Sequence, residues 1–356
     1  MKSKTGLSLI FCAMLAAGAV ASTAEAAKVG VSMPTQSLQR WNQDGANMKA
    51  SLEKSGHEVE LLYAGDNDIP TQVNQIENMI ADGCDVIVIA SIDGSALTEV
   101  LKGAKEKKIP VIAYDRLIMN SDAVSYYATF DNFKVGELQG TYLAQKAGLD
   151  KATAKDPKYI EFFTGPTDDN NVNFFWGGAM KILQPYLDSG ALVCKSGQTT
   201  KEQAATLNWN NEEAQKRMEN IIASVGYAPD GQRLDAVLAS NDACAQGVAT
   251  ALLSNGYDAS NFPVITGQDC DKPSVKNIKK GYQSMSVFKD TRSLAAQVVK
   301  MIDSIVKGES VEVNDTTTYN NGTGVIPSFL CNPVAATKDN YKEILIDSGY
   351  YKESEI

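Results

Sequence analysis

A chain of 356 residues, 44% hydrophobic and 21% charged, is long enough for about two domains and carries enough apolar residues to fill their cores. Its formal net charge of −10 excludes the basic footprint that nucleic acid or an anionic membrane surface requires of a partner. One histidine and no CxxC pair exclude the common metal cages and leave little for histidine-based catalysis.

Residues 1–26 read as a secretory signal peptide. Lys2 and Lys4 make a basic start, Leu7 to Val20 a short apolar core, and Ala24-Glu25-Ala26 a small-x-small cleavage site. Cys12 follows Leu9-Ile10-Phe11 rather than small residues, so no lipid anchor is expected. No later stretch approaches the ~18 consecutive apolar residues of a membrane span, and the mature chain is expected to be soluble. Past the leader, Cys84, Cys194, Cys244, Cys270 and Cys331 are scattered and odd in number. At most two bridges fit them, and their pairing is not readable.

Short apolar runs then alternate with amphipathic stretches. Strands are predicted over 28–33, 57–63, 86–91, 111–114 and 125–130, with helices over 40–55, 70–82 and 95–107 between the first four. His57 is expected as a surface residue at the edge of the second strand. A second series carries strands over 158–164, 192–195, 236–240, 264–266 and 285–288, with helices that include 171–187 and 211–225. Two sets of βα repeats predict an α/β protein of two Rossmann-like, doubly wound parallel-sheet lobes. The Asn-, Thr- and Gly-rich stretch 311–333 reads as an extended connection rather than a packed element.

Polar groups recur where these strands end, and in an open α/β sheet the carboxyl ends line the ligand crevice. The strand 111–114 runs into Asp115-Arg116, an acceptor beside a planar donor fork, a pair able to hold adjacent hydroxyls of a polyol. Gln39-Arg40-Trp41 follows the first strand, and Asp168-Asp169-Asn170-Asn171 follows the strand 158–164. Asn241-Asp242, Gln268-Asp269 and Lys289-Asp290 close three more strands. Each alone fits a helix cap as well as a ligand contact; together they converge on one crevice. Trp41 and Trp209 are candidate flat walls for the C–H faces of a sugar ring, or else packing between sheet and helix. Of the consecutive Phe174, Phe175 and Trp176, Phe174 is the cleft candidate, and Phe175 or Trp176 is read as core. No Gly-rich phosphate loop, metal-ligand spacing or catalytic triad is present, so no cofactor, metal or catalytic residue is expected.

The chain resembles the periplasmic aldose-binding proteins of bacterial sugar ABC importers, the type I solute-binding proteins, in their multiple-monosaccharide-binding and xylose-binding branches. The resemblance spans the mature chain and rests on Gln39-Arg40-Trp41, the run Ile87 to Gly94, Ala113 to Ile118, Asp169-Asn170-Asn171, Asn241-Asp242, Gly267-Gln268-Asp269 and Phe288-Lys289-Asp290. It implies that Arg40, Asp115 and Arg116 hold a monosaccharide from one lobe and Asp169, Asn171, Asn241 and Asp269 from the other. Lys289 would stand beside the crossing strand, with Trp41 and Trp209 sandwiching the ring. Gly165-Pro166-Thr167-Asp168 departs from the family's Gly-Ser-Pro at that place. The resemblance further implies a hinge of three crossings, near 130–132, 287–290 and 318–326. The lobes would then comprise 27–131 with 289–318, and 132–288 with 319–356. The implied role is periplasmic capture of aldopyranoses such as galactose, glucose, xylose or arabinose by a monomer that delivers them to the membrane permease of an ABC transporter. A receptor module that reports sugar to a chemoreceptor or sensor kinase, or a secreted glycosidase, are the other classes compatible with these residues.

Overall fold

The computed structural model describes residues 26–66 and 68–356, so all of the expected signal peptide except Ala26 lies outside the described residues. The chain runs β1 (Lys28–Met33), α1 (Gln39–Lys54), β2 (Glu58–Tyr63), α2 (Ile69–Ala81), β3 (Val86–Ile89), α3 (Thr98–Glu106), β4 (Val111–Tyr114) and β5 (Val124–Phe130). It continues through α4 (Asn132–Lys146), β6 (Lys158–Phe163), α5 (Asn171–Asp188), β7 (Leu192–Val193), α6 (Asn211–Val225) and β8 (Ala236–Ala239). Then come α7 (Asp242–Ser254), β9 (Val264–Ile265), α8 (Lys272–Lys280), β10 (Met285–Phe288), α9 (Thr291–Lys307), β11 (Ser328–Cys331) and β12 (Val334–Thr337).

Two parallel sheets result, of orders β11-β5-β4-β3-β1-β2 and β7-β6-β8-β9, with β10 and β12 pairing antiparallel beside the second. β3 and β4 are buried along their whole length, as expected for central parallel strands covered by helices on both faces. The fold is the type I periplasmic binding protein architecture. Among the described residues no helix is long and apolar enough to cross a membrane.

In the second lobe α4 and α5 meet backbone to backbone. A Cβ on Gly136 would stand 2.1 Å from the Phe175 carbonyl oxygen, and one on Gly178 would stand 2.0 Å from that of Phe133. Only glycine permits this approach, which sets the position of the first turn of α5.

Three expectations are corrected. The stretch 311–333 is not merely a connection, because Ser328–Cys331 forms β11 and pairs in parallel with Tyr127–Phe130 of β5. Without it, the backbone edge of β5 would be unpaired. The segment 318–326 also packs on the first lobe, with the Tyr319 ring 5.1 Å from Tyr127 and the Asn321 amide donating to the Ile118 and Ser121 carbonyls. The last passage between the sheets therefore falls at Asn332-Pro333, not within 318–326. His57, finally, is buried rather than on the surface. Its Nδ1 accepts from the Ala27 amide at 3.2 Å and its Nε2 lies 2.9 Å from Asp303 on α9. Cys84, Cys194, Cys244, Cys270 and Cys331 are all free thiols.

Candidate functional site

The carboxyl ends of both sheets face each other across a cleft that encloses a cavity of about 310 Å³. Arg40, Trp41, Asp115 and Arg116 line it from the first lobe, and Asp169, Asn171, Trp209, Asn241 and Asp269 from the second. Lys289, at the passage out of β10, completes the set singled out in the sequence. Gln268, from the same polar strand end as Asp269, lines it too, and so do Leu38 and Phe175, which were not singled out as cleft residues. Phe175 corrects the reading of the aromatic trio: its ring meets Trp209 edge-on at 6.2 Å, while Phe174 packs on Tyr319 at 4.7 Å.

Arg40 is the hub. From the first turn of α1 its guanidinium reaches Asp44 at 2.8 Å, Asp115 at 2.9 Å and Asp269 at 3.5 Å, with every partner buried. Asp44, one helical turn on, also accepts from the Tyr114 hydroxyl and so anchors the arginine from below. Its i, i+4 spacing from Arg40 was the signal that could have found it. Burial pushes the Asp44 carboxyl up, against the pull of Arg40. For Asp115 the balance is reversed. Burial again acts upward, but Arg40, Lys289 and Arg116 together hold the carboxyl below its ordinary value.

Asp115 sits at φ 59°, an uncommon conformation for an aspartate. Its neighbours over-determine it. The Asp115 amide donates to Ala128 at 2.8 Å, and its carbonyl accepts from Tyr127, Thr129 and, from the other lobe, the Asn171 amide at 2.8 Å. Asp269 (φ 93°) and Trp209 (φ 54°) are held in the same region of backbone space, so strain is concentrated at this cleft.

Arg116 donates to the Ser91 and Ile92 carbonyls and pairs through Nε with Asp169 Oδ2 at 3.1 Å. The same oxygen accepts from Trp209 Nε1 at 3.1 Å, and the other takes the Asn171 amide at 3.0 Å. Trp41 lies against Arg40 (4.3 Å) and Arg116 (5.1 Å), so it orients both arginines as well as walling the cavity. Its Nε1 is buried without a protein partner. Asn241 has both roles at once: Oδ1 caps α7 through the Cys244 amide at 2.9 Å, while the residue lines the cavity. Lys289 pairs with Asp269 at 2.9 Å and reaches Asp115 at 3.8 Å. Of the acidic run 168–169, Asp169 is in this cavity and Asp168 lines a neighbouring one.

Two parallel-sheet lobes closing over a buried, charged, aromatic-walled cavity define a solute-binding protein. The model of the periplasmic binding protein domain matches residues 29–310, and the chain belongs to that family. It is 46% identical to the multiple sugar-binding periplasmic receptor ChvE of Rhizobium radiobacter, over 99% of this chain and 98% of that one. It is 37% identical to the D-xylose-binding periplasmic protein of Escherichia coli K12, over the full length of both. Among solved structures, an ABC transporter solute-binding protein from Clostridium phytofermentans with bound β-D-glucose is 58% identical, with a TM-score of 0.88, over 92% of this chain and 99% of that one.

Proposed function

We propose that this protein is a monomeric periplasmic receptor that captures one monosaccharide in its aldopyranose form, by closure of the two lobes, and delivers it to an ABC importer. The observation that carries the reading is the cavity itself. Its lining is drawn from both lobes and mixes carboxylates, charged donors, amides and two tryptophans, which suits one small polar ring held between the lobes rather than an apolar ligand. Its wall supplies acceptors in Asp115, Asp169 and Asp269 and donors in Arg40, Arg116, Asn171, Asn241 and Lys289, which suits a ring of hydroxyls that both donate and accept. Trp41 and Trp209 provide surfaces for the C–H faces.

In this reading the sugar works by being bridged. Each lobe alone presents half of its partners, so the bound ring favours the closed arrangement by the contacts it adds there. Selectivity follows from leaving no buried group unpaired, since an epimer that orphans one donor or acceptor costs about 1–3 kcal/mol. The site then binds and releases without chemistry, and the names of the relatives support sugar as the solute. A thermal-shift screen with glucose, galactose, xylose, arabinose, fructose and ribose, followed by calorimetry, tests it. One or more aldoses should raise the melting temperature and bind at one site per chain; no response to any of the six overturns the reading.

A further inference from the structure

Trp209 reaches the cavity from an uncommon piece of backbone. Between β7 and α6 the chain runs from Cys194 to Asn210 as a loop with one tight turn, Leu207–Trp209. Asn208 and Trp209 both stand at φ 54°, so two successive side-chain-bearing residues occupy the left-handed region. Such a conformation persists only where the surroundings impose it. Two charged side chains that do not line the cavity, Glu161 and Arg217, reach this loop, and the function proposed above gives neither a role.

Glu161 lies fully buried in β6, where it accepts from the Ser196 amide at 3.1 Å, the Ser196 hydroxyl at 2.5 Å and the Tyr227 hydroxyl at 2.8 Å. It fixes the beginning of the loop. Arg217, half-buried on α6, fixes the middle. Its Nε donates to Gln198 Oε1 at 2.8 Å, Nη1 to the Ala204 carbonyl at 3.2 Å and Nη2 to the Phe162 carbonyl of β6 at 2.8 Å. The guanidinium also lies 4.2 Å from the centre of the Phe163 ring. All three acceptors are neutral, and burial pulls the guanidinium pKa down. A charge withdrawn from water without a counter-ion is a poor packing group. What its planar fork supplies is geometry, because it holds the loop, β6 and α6 in one fixed relation. From Ala204 the contacts run on to the tryptophan. The Ala204 carbonyl also accepts from the Thr164 amide at 2.9 Å, Thr206 donates back to the Thr164 carbonyl at 2.8 Å, and the Thr206 carbonyl accepts from the Trp209 amide at 3.3 Å.

We infer that Arg217 is a positioning residue of the sugar site: its fork pins the loop at Gln198 and Ala204 against β6 and so fixes the Trp209 wall, without touching the ligand. The inference rests on the central cavity being a monosaccharide site. Because the loop, β6 and α6 all belong to the second lobe, Arg217 sets the shape of that half-site before the lobes meet.

Arg217→Met keeps an apolar stem and loses the fork, and Arg217→Lys keeps the charge and loses the fork. Gln198→Ala removes one acceptor from the loop side and serves if the arginine variants fail to fold. Each protein is labelled with 5-fluorotryptophan, whose three fluorine resonances report Trp41, Trp176 and Trp209 separately, with Trp209→Phe giving the assignment. The Trp209 resonance should shift or broaden in both arginine variants, and less in Gln198→Ala, while that of Trp41 in the other lobe stays in place. Calorimetry with the aldose that binds the wild type should show affinity about tenfold weaker in Arg217→Met and Arg217→Lys. In a Trp209→Ala background, where no wall is left to position, Arg217→Met should cost less than about twofold more. A lower melting temperature with the Trp209 resonance and the affinity unchanged confines Arg217 to packing α6 on β6 and overturns the inference. An equal loss of affinity with and without the Trp209 side chain overturns it too. Failure of every aldose to bind the wild type overturns the central reading instead, and the fluorine spectrum still decides whether Arg217 holds Trp209.

Discussion

Arg116, at the end of β4, and Asp169, ahead of α5, form an ion pair of 3.1 Å that joins the two lobes across the cleft. Asp169 is buried and Arg116 largely so, and Asp169 is held in addition by Trp209 and the Asn171 amide. Removing one member of a buried pair leaves the other charge uncompensated, typically at about 3–5 kcal/mol. Because the pair forms between lobes, that loss falls on the closed, sugar-holding arrangement rather than on either lobe's core. Arg116→Ala is therefore expected to weaken monosaccharide binding at least ~100-fold while the circular dichroism spectrum stays native. Near-normal calorimetric affinity for every aldose would sink the assignment.

Gly165 and Trp209 make the second prediction. A Cβ at Gly165 would stand 2.1 Å from the Trp209 ring, a contact no rotation of that ring's flat face relieves cheaply. Gly165→Ala should displace the indole, break its bond to Asp169 and strip one wall from the cavity. The expected outcome is an affinity loss of about tenfold or more, with a red shift in tryptophan emission and a small change in melting temperature. Unchanged emission together with unchanged affinity would show that the indole is not held by this contact.

Much of this was readable in the residues, for reasons particular to parallel sheets. A central strand such as Val86–Ile89 is buried on both faces and so appears as an unbroken apolar run, and its polar terminus marks the cleft. Arg40, Asp115 and Lys289 were visible on that ground. Asp44 and Phe175 were not, because a carboxylate inside a helix and one aromatic among three look like surface and core until the helix is oriented. Nothing local marks the positive φ of Asp115 or Trp209, which tertiary contacts impose. β11 escaped notice because four residues in a Gly- and Asn-rich stretch carry too little periodicity. Its strand character comes from β5 alongside it.

The acidic turn after β9 predicts a pH dependence. Asp271 is pushed up to about 7, first by burial and then by Asp269, with Arg40 and Lys289 pulling the other way. The adjoining Asp242, which accepts from the Asp271 amide, is also raised by burial and by Asp271. A carboxyl with a folded pKa above its unfolded value of 3.8 keeps a proton that the unfolded chain has released. Its contribution to stability therefore grows as pH falls from about 7 and is complete below about 4. Between pH 5 and 8 the sugar-free wild type should lose about 2–4 °C more in melting temperature than Asp271→Asn. Parallel curves for the two proteins would show that Asp271 does not titrate there.

A last prediction concerns closure without touching the sugar. The Tyr351 hydroxyl accepts from Gln39 at 2.8 Å and Gln43 at 3.1 Å, both on α1 of the first lobe, and donates to the Cys270 carbonyl of the second at 3.0 Å. Its ring lies in the apolar cluster of the second lobe with Phe288 and Leu345, so the side chain is fixed to one lobe and bonded to the other. Tyr351→Phe keeps the packing and deletes the link. Two lost bonds of about 0.5–1.5 kcal/mol each, borne by the closed form, correspond to roughly tenfold weaker binding. Because the link forms only after the lobes meet, the change should appear in the dissociation rate and leave association nearly unaltered. Stopped-flow fluorescence separates the two. A slower association rate with unchanged dissociation would place Tyr351 in shaping the open cleft rather than in holding the closed one.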